Sequence, residues 1–133
     1  MKKLMKCVIL ILLLSGCSPI DTDPAIKAVN VFHALYQSGK YSDIYEMTSS
    51  SFQKVTSKEK FINIMNEAKI KHLGEFKNAT LKFERSTRSL LSNNEVSLFY
   101  YSNFYKRNVQ EIFVFEIDSC GVKLKSYRYD SYE

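Results

Sequence analysis

Lys71-His72-Leu73-Gly74-Glu75-Phe76-Lys77-Asn78-Ala79-Thr80-Leu81-Lys82-Phe83-Glu84 is where the chain changes its period. Before Gly74, apolar residues recur at intervals of three and four, the spacing of an amphipathic helix. After it, Ala79, Leu81 and Phe83 alternate with Thr80, Lys82 and Glu84, the spacing of a half-buried strand. A glycine at the junction suits the end of a helix, because the αL conformation carries no Cβ penalty there.

Upstream, the pattern is helical throughout. Thr56-Ser57-Lys58-Glu59 matches a capping box and predicts a helix to about Lys71, with Phe61, Met65 and Ala68 on one face. Further back, Asp23 as N-cap and Pro24 at the first helical position open a longer helix. Ala25, Ala28, Val29, Phe32, Leu35 and Tyr36 form its apolar stripe, and Gly39 ends it. Tyr41, Ile44 and Tyr45 predict a short second helix to about Met47. Thr48 to Ser51 reads as a polar break, with Phe52 turned back inside.

Downstream, the pattern is extended. A polar loop from Ser86 to Asn94 holds Leu90-Leu91, and Asn93-Asn94 marks a turn. Glu95 to Tyr105 predicts a strand with Val96, Leu98, Tyr100 and Phe104 on one face. Val109 to Ile117 is apolar on both faces in its middle, as suits a central strand. Asp118-Ser119-Cys120-Gly121 reads as a hairpin turn. Val122 to Tyr129 is the last strand, and its slip in phase between Leu124 and Tyr127 predicts a bulge near Ser126. Three helices followed by four strands on short turns define an α+β fold, in which a curved four-stranded antiparallel sheet packs against the helices.

The first sixteen residues follow another logic. Lys2, Lys3 and Lys6 precede an unbroken apolar run from Val8 to Leu14. A bilayer span needs about 20 apolar residues, so the run is too short to be one and fits a cleaved signal. Together with Leu14-Ser15-Gly16-Cys17, the segment resembles a bacterial lipoprotein signal peptide with its lipobox. The resemblance implies a diacylglyceryl group on the Cys17 thiol and cleavage before it. One acyl chain anchors only marginally, whereas two or three hold a protein on a membrane almost permanently. Ser18 stands where an aspartate would suggest retention at the inner membrane of enteric bacteria. The expected location is therefore the outer membrane facing the periplasm, or the outer side of the cytoplasmic membrane where there is only one. The expected organisation is a signal over 1–16, a lipidated cysteine and short tether over 17–23, and one domain over 24–133.

Of the 133 residues, 117 remain after such cleavage, enough for a single core. The formal charge of +5 includes the three signal lysines, so the mature part carries about +2. No block of like charge points to nucleic acid. Cys7 leaves with the signal and Cys17 takes the lipid, so Cys120 has no intramolecular disulfide partner. Its expected state is a partly buried thiol acting as a small hydrophobe, with pairing between chains as the alternative.

The mature part also resembles the nuclear-transport-factor-2-like, or cystatin-like, superfold, and small bacterial secreted proteins within it. The residues that carry the likeness are the helix Ala25 to Tyr36, Ser38-Gly39-Lys40-Tyr41, Met47-Thr48-Ser49 with Phe52, and Lys71-His72-Leu73-Gly74 before the strands. The resemblance spans about Pro24 to Tyr129. It implies a cone whose sheet and helices can enclose a pocket. Some members are isomerases or dehydratases, while many only bind or scaffold. It transfers no catalytic residue.

The residues themselves offer little chemistry. His33 and His72 are the only histidines, and neither belongs to a cluster with metal-ligand spacing. There is no glycine-rich phosphate loop and no other cofactor motif. His33, near the edge of the first helix's stripe, is either a base in a pocket or a satisfied histidine. His72 suits a helix C-terminus. Asp43 and Asp118 read as capping or turn residues. Tyr127, Arg128 and Tyr129, with Tyr132 after them, form an aromatic and basic cluster of the kind found in interface anchors, and Tyr100, Tyr101 and Tyr105 fall on a neighbouring strand.

The expectation is thus a non-enzymatic, membrane-anchored binding module that docks an envelope protein or holds a small apolar ligand. Tyr127, Arg128 and Tyr129 are its candidate contacts. Two alternatives stand beside it. One is a small isomerase or dehydratase in which His33, Asp43 and a strand tyrosine converge. The other is an envelope inhibitor or immunity protein.

Overall fold

The computed structural model describes residues 19–131. The signal and Cys17 lie outside them. Among the described residues no helix is long and apolar enough to cross a membrane. The architecture is α+β: helices α1 (Asp23–Gln37), α2 (Tyr41–Glu46), α3 (Ser50–Val55) and α4 (Lys58–Glu67), a π-helical turn (Ala68–Leu73), then strands β1 (Phe76–Thr87), β2 (Asn94–Phe104), β3 (Asn108–Asp118) and β4 (Gly121–Ser131). The sheet is an antiparallel meander in the order β1-β2-β3-β4.

Helix α1 begins one residue earlier than its sequence suggests. Thr22 occupies the cap without a side-chain bond, and Asp23 is already helical, its charge placed in the first turn. The other end is as read. Gly39 takes φ 68°, its N–H donates to Tyr36 O, and the Lys40 N–H donates to Leu35 O. The expected polar break after Met47 is instead the entry to α3. Ser49 accepts a hydrogen bond from the Phe52 N–H and caps that helix. Backbone bonds from Ser49 N to Leu124 O and from Leu124 N to Met47 O tie this corner to β4. The α4 cap is Ser57 rather than Thr56, accepting from the Lys60 N–H. The helix ends in a wider turn, where the Gly74 N–H reaches Lys69 O, and both Ala68 and Leu73 stay buried.

Three register shifts interrupt the sheet, one of them between Phe76 and Asn78 in β1, and the other two set which side chains face inward. In β1 the register shifts between Leu81 and Phe83. One extra residue reverses the alternation, so Phe83 leaves the core, is 51% exposed and pairs with Phe99 on the outer face. The simple alternation expected for this strand therefore fails at Phe83. In β4 the shift falls between Leu124 and Ser126, as the slip in phase predicts, and both Leu124 and Tyr127 point inward.

The core lies between α1 and the inner face of β2, β3 and β4. Ala25, Val29, Phe32 and Tyr36 meet Val96, Leu98, Phe113, Phe115 and Leu124 there. Cys120 is exposed in the β3–β4 turn, contrary to the buried thiol expected, because the Asp118 side chain accepts the Cys120 N–H and Gly121 takes φ 124° to close the turn.

Candidate functional site

On the inner face of β3 the alternation Val109, Glu111, Phe113, Phe115 places one carboxylate among apolar neighbours. Glu111 is 0% exposed. Both of its oxygens are engaged: Oε1 lies 2.8 Å from His33 Nε2 of α1, and Oε2 accepts from the Tyr127 hydroxyl of β4 at 2.5 Å. With the carboxylate ionised both partners act as donors, which assigns the proton of His33 to Nε2. The pairing explains how the group is tolerated, since a buried charge without partners is costly.

Aromatic rings hold this network in place. The His33 ring stacks on Phe76 with centroids 4.0 Å apart and meets Phe113 edge-on. Tyr127 packs on Phe32 and Phe113 at 4.7 and 5.0 Å. Burial, then the charge of Glu111, pushes the Tyr127 hydroxyl well above its ordinary value, so it remains a donor. Tyr100, opposite Glu111 on β2, is pushed up to about 12 by burial first and the carboxylate next. Its hydroxyl is buried and finds no hydrogen-bond partner among the described residues. Tyr36 is also raised by burial and donates to Gly74 O at 2.7 Å.

Two clefts flank the network. The smaller, about 370 Å³, lies beside α1 and the β1–β2 pair and is bounded by Asn30, His33, Gln37, Phe76, Asn78 and Tyr100. The larger, about 540 Å³, lies between the helical layer and β4. Phe52, Phe61, Ile64, Met65 and Ala68 form one wall; Tyr127 and Tyr129 form the other, with His72 and Arg128 also on its lining. His33 thus borders one cleft and Tyr127 the other, with Glu111 between them.

No protein-family model and no curated protein matches this chain.

Of the residues singled out in the sequence, Tyr127 and Tyr129 face inward, with ring centroids 6.3 Å apart, while Arg128 is exposed and lies 3.8 Å from Asp130. Tyr132 and Cys17 lie outside the described residues. The tyrosines do not share one sheet face: Tyr100, Tyr127 and Tyr129 are inward, Tyr101 and Tyr105 exposed. Asp43 is exposed in the first turn of α2 and does not join His33 in the buried network. His72 is exposed in the π turn. Among the described residues no three metal-ligating side chains cluster. Glu111 is the residue that motif reading misses. The signal that finds it is parity: it shares the inward phase of Val109, Phe113 and Phe115.

Proposed function

We propose that the protein is a membrane-anchored binding lipoprotein of the cell envelope, with the mature domain in the nuclear-transport-factor-2-like or cystatin-like form. Its cleft between α4 and β4 holds a small apolar ligand. The observation that carries the ligand reading is the larger cleft itself. Its volume falls in the range of ligand pockets, roughly 300 to 1,000 Å³, and its walls are apolar with a few polar groups. The binding reading is favoured over catalysis by the use made of Glu111. A general base must come within reach of a substrate proton, and the Glu111 carboxylate is 0% exposed, enclosed by His33 and Tyr127. The anchor rests on the lipobox sequence, and the fold family on the order of helices and strands.

The test uses a chain beginning at Ser18, which keeps every contact described above. Met47 and Met65 are then its only methionines, and only Met65 lines the cleft. In methyl NMR, titration with indole or decanoate should move the Met65 signal and leave Met47 in place. If both signals stay put at millimolar probe, the cleft is not a ligand site. Turnover of a substrate by the purified chain would overturn the non-enzymatic part separately.

A further inference from the structure

The β1–β2 turn displays two leucines fully to solvent while Ser89 and Asn94 spend their polar atoms on bonds within the loop. Leu90 and Leu91 are 98% and 101% exposed. Meanwhile the Ser89 Oγ accepts from the Leu91 and Ser92 N–H groups, and the Asn94 Oδ1 accepts from the Ser89 N–H. These bonds order the loop without burying either leucine. The strand leading to it, β1, carries Lys82 and Arg85, both exposed. Lys82 Nζ lies 5.2 Å from the centre of the Tyr101 ring and the Arg85 guanidinium 5.8 Å from that of Phe83, so both cations sit on the outer face of the hairpin.

Thr22 Oγ1 lies 3.4 Å from Glu84 Oε2, which fixes the start of α1 against the same hairpin. Cys17 precedes Thr22 by five residues, a reach of at most about 17 Å. Leu90 follows Glu84 by six residues, at most about 20 Å along the hairpin. The lipid on Cys17 is therefore within reach of the same side of the domain as the loop tip. We propose that Leu90-Leu91 seats in the lipid surface to which Cys17 is attached, with the cations of β1 facing anionic headgroups. The proposal rests on the anchor reading above. It adds a second contact, one that sets the orientation of the domain on the bilayer.

The chain has no tryptophan, so Leu91→Trp supplies a unique probe at a position that packs against nothing. The control is Val55→Trp, on α3 and 79% exposed. Each lipidated, processed variant is reconstituted on vesicles of phosphatidylethanolamine and phosphatidylglycerol, recovered by flotation, and read by emission and by quenching from brominated acyl chains. The expected result is blue-shifted emission for Leu91→Trp with quenching several-fold above that of Val55→Trp. Floated protein whose Leu91→Trp emission stays water-like, or is quenched no more than the control, overturns the lipid contact and leaves the anchor standing. Failure to float overturns the anchor, and the tip contact with it. A blue shift without vesicles that grows with protein concentration assigns the tip to a second copy of the chain and overturns the proposal.

Discussion

Replacing Glu111 tests whether one carboxylate holds α1 to the sheet. Hydrogen bonds to a charged group contribute roughly 1.5 to 3 kcal/mol each. Glu111→Ala removes two of them, from His33 and Tyr127, and leaves both donors buried without a partner. The expected loss is about 3 to 5 kcal/mol, a large share of the roughly 5 to 15 kcal/mol typical of a small domain. Tyr127→Phe keeps the ring contacts with Phe32 and Phe113 and deletes only the hydroxyl. It should cost roughly 1.5 to 3 kcal/mol, because Glu111 Oε2 is then unpaired. Glu111→Gln keeps the shape and loses the charge. Since the two residues share a bond, the cycle of Glu111→Gln and Tyr127→Phe should show a coupling of at least about 1 kcal/mol. The assay is urea unfolding followed by far-ultraviolet circular dichroism, with the slope checked for constancy. A loss below about 1 kcal/mol for Glu111→Ala, or strict additivity in the cycle, would refute the shared-carboxylate argument.

Alkaline stability should follow the buried tyrosines. Tyr100 rises from 10 in the unfolded chain to about 12 in the fold, so the unfolded chain ionises first. Stability is therefore intact below pH 10 and falls as the pH rises towards 12, by up to about 1.4 kcal/mol per pH unit for each such tyrosine. Urea midpoints at pH 9, 10 and 11 measure this, and Tyr100→Phe should flatten the fall. Gly39→Ala places a Cβ at φ 68°, where space is open but the backbone is strained. It should cost about 1 kcal/mol in the same unfolding assay. Phe113, fully buried between α1 and Tyr127, should cost roughly 3 to 5 kcal/mol as Phe113→Ala, read from the same curves. Cys120 should react with a maleimide in the folded protein as fast as in urea; protection in the fold would contradict its exposed position.

The period of the apolar residues carried most of the architecture. The α1 stripe, the shift at Gly74 and the central character of β3 are all local patterns that tertiary packing did not need to override. What escaped the reading depends on distant partners. Phe83 obeys alternation until a bulge reverses it, and the bulge is set by pairing with β2. Ser49 becomes a helix cap while its backbone N–H pairs with Leu124, 75 residues away. The tyrosines were legible as a cluster, but which ones face inward follows from strand parity and from the β4 bulge. Glu111 shows the difficulty best. Its inward phase was visible in the sequence, yet its partners are a helix residue 78 positions earlier and a strand residue 16 later.

The order of elements also constrains how the protein can be made. All the described helices precede the sheet in the chain, and the α1 face is covered by Val96, Phe113 and Leu124. At about 5 to 20 residues per second, the 87 residues between Gln37 and Leu124 take on the order of 4 to 17 seconds to synthesise. Phe104 and Phe113 reach Tyr36 and Phe32 earlier, but the cover that Leu124 and Tyr127 give the α1 face comes only with β4. The last strand therefore acts as the latch that completes the fold. A chain stopped before β4 should leave a collapsed, protease-sensitive product, and a chain still being made stays pliable until its end.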